Sequence, residues 1–350
     1  MRLECLLGLA ILSGGAAASV ENQTDSVERR ALCLGQDFVN IEYYSQHAAA
    51  AYCNSAKASR QLIQCNGACP AVESSRAAVF ASFTGALTGV AGYVAVDKTR
   101  REIVLSIRGT NSIRNFITDF FFAWEDCAFA GGCKVHSGFA NAWSDVSGAA
   151  TDAVAAARCL NPGFRVVATG HSLGGAVATI AAAALARRGF RVDCYTYGSP
   201  RVGNEQFVAS MHRHRGRHWR VTHLDDPVPR LPPMSMGYRH VSPEYWLSNG
   251  GAQQDSYRLR DVLVCHGSAN ANCNANTPGF NFASHLHYLR RTTACATSAF
   301  RWRRSDDQIS AQLQQQLEQR LTAWSQMDID YAKNMPSYYQ VVDIDQIEDP

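Results

Sequence analysis

Residues 164–176 read Phe164-Arg165-Val166-Val167-Ala168-Thr169-Gly170-His171-Ser172-Leu173-Gly174-Gly175-Ala176. Residues 164–169 form a short β-rich run, residues 176–187 form an Ala-rich helical stretch, and the pattern G-x-S-x-G lies between them. A serine placed there sits on a tight strand-to-helix turn. The flanking glycines let one backbone approach another, and the first helical turn offers N–H groups and a positive dipole end to a developing oxyanion. G-x-S-x-G alone is a weak signal, because small-residue turns produce it by chance; a strand before it and a helix after it make Ser172 a candidate nucleophile. His171 is adjacent in sequence, but such a turn points it away from Ser172, so it reads as a packing or hydrogen-bonding residue.

Outward from this turn, β-rich runs recur at 92–96, 103–107, 192–197 and 219–224, separated by helical stretches such as 140–158. The apolar runs are continuous rather than alternating, as in strands buried on both faces, so the expected architecture is α/β: a mostly parallel central sheet with helices on both faces. The chain has 350 residues, 46% hydrophobic and 18% charged, which suits a large core and excludes disordered, collagen-like and coiled-coil chains. A net charge of +3 without long runs of one sign argues against a nucleic-acid partner. An enzyme or an extracellular binding module remains.

The first residues read as an address. Met1-Arg2, an apolar run over 3–12 and Ala16-Ala17-Ala18 predict a signal peptide over 1–18. The polar stretch 19–30 ends in Glu28-Arg29-Arg30 and reads as a propeptide, giving a secreted, extracellular chain that starts at Ala31. No other run is apolar for long enough to span a bilayer. In an oxidising compartment twelve cysteines imply a disulfide framework, and Cys5 leaves with the signal peptide. Cys65 with Cys69, Cys127 with Cys133, and Cys265 with Cys273 are local pairs, while Cys53 and Cys295 can join the two ends of the domain. Zinc at Cys65 and Cys69 lacks a second Cys/His pair at matching spacing, so no metal is expected. Cys33, Cys159 and Cys194 are left over, Cys194 as a buried thiol in an apolar run.

A serine nucleophile needs a base, and the base needs an orienting carboxylate. In α/β-hydrolases these follow in the order Ser, Asp or Glu, His. Asp225-Asp226-Pro227-Val228-Pro229-Arg230 lies directly after the run 219–224, so Asp225 and Asp226 compete for the acid. His240, His266, His285 and His287 compete for the base.

Four segments taken together resemble the secreted filamentous-fungal class 3 lipases: residues 169–176, Tyr197-Gly198-Ser199-Pro200-Arg201-Val202-Gly203-Asn204, Thr222-His223 with residues 226–233, and Pro243-Glu244-Tyr245-Trp246. The likeness runs in order over about residues 38–295. It extends to relatives of the Rhizomucor and Thermomyces lipases and is strongest to Fusarium extracellular lipases with a C-terminal extension. The resemblance implies an α/β-hydrolase fold, a triad of Ser172, Asp226 and His285, and an oxyanion hole built from Thr110 and the N–H of Leu173. The implied chemistry is ester hydrolysis through an acyl-enzyme, without metal or organic cofactor. The implied partner is an acylglycerol at a lipid–water interface.

Ile113, Phe116, Ile117 and Phe120 recur at i, i+3, i+4 and i+7, the mark of a short amphipathic helix. Periodicity alone allows a core helix; the resemblance makes it a lid over the site, with Phe121, Phe122 and Trp124 extending an aromatic surface suited to long acyl chains. The primary expectation is a triacylglycerol lipase with interfacial activation. Feruloyl esterases share the scaffold, and Val264-Cys265-His266-Gly267 resembles them, but they carry a more polar flap. Met236-Gly237-Tyr238 with residues 243–246 resembles mono- and diacylglycerol lipases. A secreted lipid-binding protein without turnover would have no need of all three triad groups.

Residues 211–219 hold three arginines and three histidines and read as a solvated loop, with adsorption to an anionic surface as the alternative. Residues 31–300 are expected to form the lipase domain and 301–350 a C-terminal extension. In the extension Ile309, Leu313, Leu317, Leu321 and Trp324 recur at helical spacing, Asp306 is a candidate cap, and an acidic tail covers 342–350. That helix either seals one face of the fold or mediates dimerisation, and the oligomeric state stays open.

Overall fold

The computed structural model describes residues 20–110, 122–277, 279–296, 311–334 and 341–342. The strands are β1 (Ala78–Thr84), β2 (Ala91–Asp97), β3 (Glu102–Ile107), β4 (Trp124–Asp126), β5 (Lys134–His136), β6 (Arg165–His171), β7 (Val192–Tyr197), β8 (His218–His223), β9 (Glu244–Leu247), β10 (Val262–Cys265) and β11 (Val341–Val342). The helices are α1 (Val20–Asn54), α2 (Pro70–Ser75), α3 (Ser137–Leu160), α4 (Leu173–Arg187), α5 (Glu205–Arg213), α6 (Phe282–Leu286) and α7 (Ala311–Lys333).

One sheet runs in the order β1-β2-β3-β6-β7-β8-β9-β10-β11, and β4 and β5 form a separate ribbon. Its five central strands, β3 to β9, are parallel, and antiparallel pairs extend both edges. The two faces are buried by alternate residues of the same strand. In β3, Ile103, Leu105 and Ile107 face the core under α3 and α4, while Val104 joins the core under α1. In β6, Val166 and Ala168 face α3 and α4, and Val167 faces α1. This is why these strands read as unbroken apolar runs. Each side chain of that size removed from water contributes about 1.5–3 kcal/mol.

The runs expected at 92–96, 103–107, 164–169, 192–197 and 219–224 are strands β2, β3, β6, β7 and β8. No helix was anticipated over the chain that becomes α1, which packs Tyr43, Tyr44, Ala48, Ala50 and Ala51 against one sheet face. The backbone of α1 also runs through Arg30-Ala31, the bond singled out for processing.

Disulfides join Cys53–Cys295, Cys65–Cys69, Cys127–Cys133 and Cys265–Cys273. The first spans 242 residues and ties the end of α1 to the chain after α6. In the chain-entropy account a loop of that length stabilises the fold by up to about 5 kcal/mol. Cys159 is a free exposed thiol, and Cys194 is free and buried, where burial pushes it up to about 12.

Residues 211–219 are a solvated loop only in their middle, 214–217, and the two ends are buried. Met211 is buried in α5, and His218 and Trp219 are buried in β8. His218 Nε2 lies 2.9 Å from His214 Nε2, and burial takes His218 down to about 3, so it carries no charge near neutral pH. Arg213, Arg215 and Arg217 keep their exposure, with Arg217 paired to Asp37 at 3.2 Å.

Helix α7 is docked on the domain. Leu317 and Leu321 are buried, and Trp324 packs edge-on against Phe122. Phe122 and Trp124 are therefore packed rather than spread as an open aromatic surface, Trp124 stacking on Tyr238 at 3.7 Å. On the same stripe, one turn beyond Trp324, Asp328 is buried and forms a 2.7 Å ion pair with the equally buried Arg201, while Asp328 Oδ1 accepts the Met234 N–H at 2.6 Å. Arg201 also donates to the carbonyls of Arg230 and Pro232. Asp306 and Ile309 lie outside the described residues. Val342, expected in the acidic tail, pairs with Val264 as part of β11. Among the described residues no helix is long and apolar enough to cross a membrane.

Removing one member of a buried ion pair strands the other in the core. Asp328→Ala is expected to lower the free energy of unfolding by about 3–5 kcal/mol, read from the denaturant midpoint, whereas Asp330→Ala, at an exposed position two residues on, leaves it unchanged.

Candidate active site

Ser172 stands between β6 and α4 with φ 58° and ψ −130°, a conformation that disfavours any side chain. The turn is held by its neighbours. Its N–H donates to Tyr197 O at 2.9 Å, and its carbonyl accepts from Gly175 and Ala176. The crossing is so close that a Cβ at Gly170 would stand 2.3 Å from the Gly174 oxygen, and one at Gly174 would stand 2.1 Å from the Ile107 oxygen at the end of β3. Both glycines are therefore structural requirements of the turn. The same contact brings the chain after β3 beside Ser172. A Cβ on Gly109 would lie 3.2 Å from Ser172 Cβ, and Thr110, the expected oxyanion donor, is the next residue. Leu173, the other expected donor, occupies the first position of α4, where N–H groups lack helical acceptors.

The acid is set by the turn after β8. Asp226 N–H donates to His223 O at 3.0 Å, and Asn274 Nδ2 binds the carbonyls of Leu224 and Asp226 at 2.9 and 3.0 Å. The Asp226 carboxylate then accepts three donors: Val228 N–H at 2.9 Å, the Tyr288 hydroxyl, and His285 Nδ1 at 2.8 Å to Oδ2 and 3.0 Å to Oδ1. Asp225 is turned elsewhere, its carboxylate accepting from the Ser284 hydroxyl at 3.2 Å and its carbonyl from Asn281 N–H. Of the competing histidines, His240 bonds the Pro229 carbonyl at 2.7 Å and His287 the Ala283 carbonyl at 3.1 Å. His285 is the one that meets Asp226.

With Nδ1–H given to Asp226, Nε2 is the free end of the neutral imidazole. Ser172 Oγ and His285 Nε2 are both buried with no partner among the described residues. Ser172, Asp226 and His285 are each 0% exposed.

His171 and His223 surround this centre and belong to neither end of the Ser–His–Asp line. His171 Nε2 lies 2.8 Å from the His285 carbonyl and Nδ1 2.8 Å from the Tyr52 hydroxyl. His223 Nδ1 lies 2.9 Å from the Ser284 carbonyl and Nε2 2.6 Å from the Tyr257 hydroxyl. Burial, and for His171 the nearby His285, holds both below the ordinary histidine value, so each carries one N–H. A carbonyl can only accept, so that proton faces the carbonyl and the tyrosine donates to the other nitrogen. The sequence marks His171 as a hydrogen-bonding residue, and the quoted motifs include His223 without a role. Tyr52 and Tyr257 carry no motif. Tyr288 stands three residues after His285, just beyond the end of its helix, and carries no motif.

The expected lid residues Ile113, Phe116, Ile117 and Phe120, and Phe121 beside them, lie outside the described residues. Metal chemistry has no separate home in the cysteines. Among the described residues, the groups close enough to hold an ion are Cys65 with Cys69 and Glu73, and Cys53 with Cys65 and Cys295, whose thiols are already joined in disulfides.

A family model described as "Lipase (class 3)" matches residues 104–236. The chain is similar to the "Secreted mono- and diacylglycerol lipase 1" of Fusarium solani, with 44% identity over 95% of this chain and 98% of that protein. It is 36% identical to the "Secreted mono- and diacylglycerol lipase A" of Penicillium camembertii over 73% of this chain and 85% of that one. The crystal structure of a mono- and diacylglycerol lipase from Aspergillus oryzae superposes with a TM-score of 0.69 at 34% identity, covering 73% of this chain and 97% of that one.

The geometry makes one position unusually sensitive. Gly198 has φ 57°, and a Cβ there would stand 3.0 Å from both Asp226 Oδ2 and His285 Nδ1. A misplacement near 1 Å at a reacting centre costs about 100-fold. Gly198→Ala is expected to cut hydrolysis of a soluble ester by about 10–100-fold while the far-ultraviolet circular dichroism stays that of the parent chain.

Proposed function

The chain belongs to the class 3 lipases, and from that membership we propose that it is a secreted acylglycerol hydrolase working through Ser172, His285 and Asp226, with mono- and diacylglycerols as preferred substrates. The observation that carries the catalytic assignment is the one-sided satisfaction of the site. Asp226 is saturated by three donors and holds His285 by Nδ1, while Nε2 and Ser172 Oγ are both buried without a hydrogen-bond partner among the described residues. His285 removes the Ser172 proton as the hydroxyl attacks the ester carbonyl, and Asp226 stabilises the imidazolium that forms. The N–H groups of Thr110 and Leu173 bind the oxyanion, each contributing about 3 kcal/mol to transition-state stabilisation. His285 then protonates the leaving alcohol and activates water against the acyl-enzyme. The preference for partial glycerides rests on the relatives, whose names carry that substrate class.

The burial of the nucleophile, base and acid supports a gated site, which substrate enters when a cover moves. Ile113, Phe116, Ile117 and Phe120, in the chain after Thr110, have the amphipathic spacing of a segment that can turn an apolar face toward lipid.

Three experiments test this reading. The hydrolysis rate of a short-chain triglyceride, raised in concentration through its solubility limit with Ser172→Ala as blank, is expected to jump above that limit. Smooth saturation without a jump moves the assignment to an esterase of soluble esters, feruloyl esters included. With emulsified mono-, di- and triolein the expected order places triolein last; triolein first makes the enzyme a triacylglycerol lipase. Separately, Asp226→Asn is expected to lower kcat by about 10⁴, because the amide no longer fixes the productive histidine tautomer, and Asp225→Asn by less than tenfold.

A further inference from the structure

Helix α6, which carries His285, has only five residues. A helix that short cannot satisfy its own last carbonyls, since the final four lack helical donors. The Ser284 carbonyl receives one weak bond from His287 N–H at 3.4 Å, and the inward-facing carbonyls of Ser284 and His285 are met instead by His223 and His171. We propose that two buried tyrosine–imidazole relays, Tyr52–His171 and Tyr257–His223, clamp these consecutive carbonyls and thereby set where the His285 imidazole stands relative to Ser172. His171 and His223 are positioning residues: they touch no substrate and act through the backbone of the base. The inference rests on the triad assigned above.

The placement of the relays gives the clamp its meaning. His171 is the last residue of β6, next to the nucleophile, and His223 is the last residue of β8, three before the acid. The base, which sits on a short element more than fifty residues beyond the acid, is thus bolted to both strands that deliver its partners. Each relay is also closed at its far end. Tyr52 Oη is packed against Gly109, where a Cβ would stand 2.4 Å from it, beside Thr110, and the adjacent Cys53 is joined to Cys295 on the chain leaving α6. Tyr257 is buried in the core under α1. In each relay the acceptor-only carbonyl fixes which ring nitrogen carries the proton, and the tyrosine hydroxyl donates to the other.

A packing role and a positioning role separate in kinetics. The full chain is tested on a soluble short-chain p-nitrophenyl ester below its solubility limit, so that lid movement at an interface does not enter. His171→Leu, which keeps bulk and removes the N–H, is expected to lower kcat by about 10–100-fold with KM within twofold. His171→Gln, which keeps an N–H for the His285 carbonyl and an acceptor for Tyr52, is expected to recover at least half of that loss on a logarithmic scale. Tyr52→Phe and Tyr257→Phe each remove a single oxygen and are expected to slow both turnover and phosphonylation of Ser172 by about threefold or more. Equal losses in the Leu and Gln variants, a rise in KM in place of a fall in kcat, or unchanged kcat in either Leu variant of His171 and His223 overturns the proposal. Should the Leu variants not fold, the two Phe variants decide, and unchanged phosphonylation rates in both overturn it. Ser172→Ala separates the two levels: if it retains turnover the triad itself is misassigned, whereas a dead Ser172→Ala beside fully active relay variants removes the clamp alone.

Discussion

Everything in the active site depends on the crossing of β6 and α4 at Ser172. The serine is held at a positive φ that costs of order 1–3 kcal/mol, and the surrounding contacts over-determine it. Two glycines let the crossing close, the Ser172 N–H is given to β7, and the start of α4 is pressed against the end of β3. That last contact links the nucleophile to the oxyanion site, since the same close approach brings Thr110 alongside. A side chain at Gly170 would push β6 from α4, and one at Gly174 would push α4 from the end of β3. The strain is local, and the parallel core around it makes it tolerable, with both faces of β3 and β6 filled by apolar side chains.

Around that fixed point the polar groups are arranged in a graded way. Asp226 has all its near donors supplied by rigid sources: a backbone N–H, a tyrosine and the base itself. His285 is held through Nδ1 and through its own carbonyl, leaving one nitrogen for chemistry. A base that pivots about a single bond to its carboxylate loses orientation easily; one held at ring and backbone keeps it while the proton moves from Ser172 to Nε2 and on to the leaving group.

What could be read from the amino-acid order follows the range of the interactions involved. The strands at β2, β3, β6, β7 and β8 announce themselves because burial on two faces leaves continuous apolar runs, and the elbow because its glycines are needed within five residues. Local cysteine pairs and the 53–295 pair were likewise accessible from spacing and compartment. The order Ser, Asp, His limited the acid to two neighbours and the base to four, and the family likeness chose among them. Tyr52 and Tyr257 could not be found this way, since nothing local marks a tyrosine that bonds an imidazole over a hundred residues away in one case and over thirty in the other. The ends of the basic stretch 211–219 were misread because exposure was inferred from charge, whereas a neutral buried histidine is chemically a polar aromatic residue. Asp328 did leave a trace: an acid on the apolar stripe of a helix asks for a buried cation.

That cation, Arg201, has a consequence for how the protein is made. Arg201 lies in the middle of the chain, in the turn after β7, while its counter-charge arrives in α7, more than a hundred residues later. During synthesis the central sheet can form well before residue 328 leaves the ribosome, but the guanidinium inside it then has only carbonyl dipoles to balance its charge. The loops carrying Pro232 and Met234, which continue the turn that presents Asp226, are tied to the same pair. Helix α7 therefore supplies the counter-charge that the earlier part of the chain lacks. Without that helix a buried guanidinium lacks its carboxylate, so the pair makes the stability of the central sheet depend on a segment more than a hundred residues away.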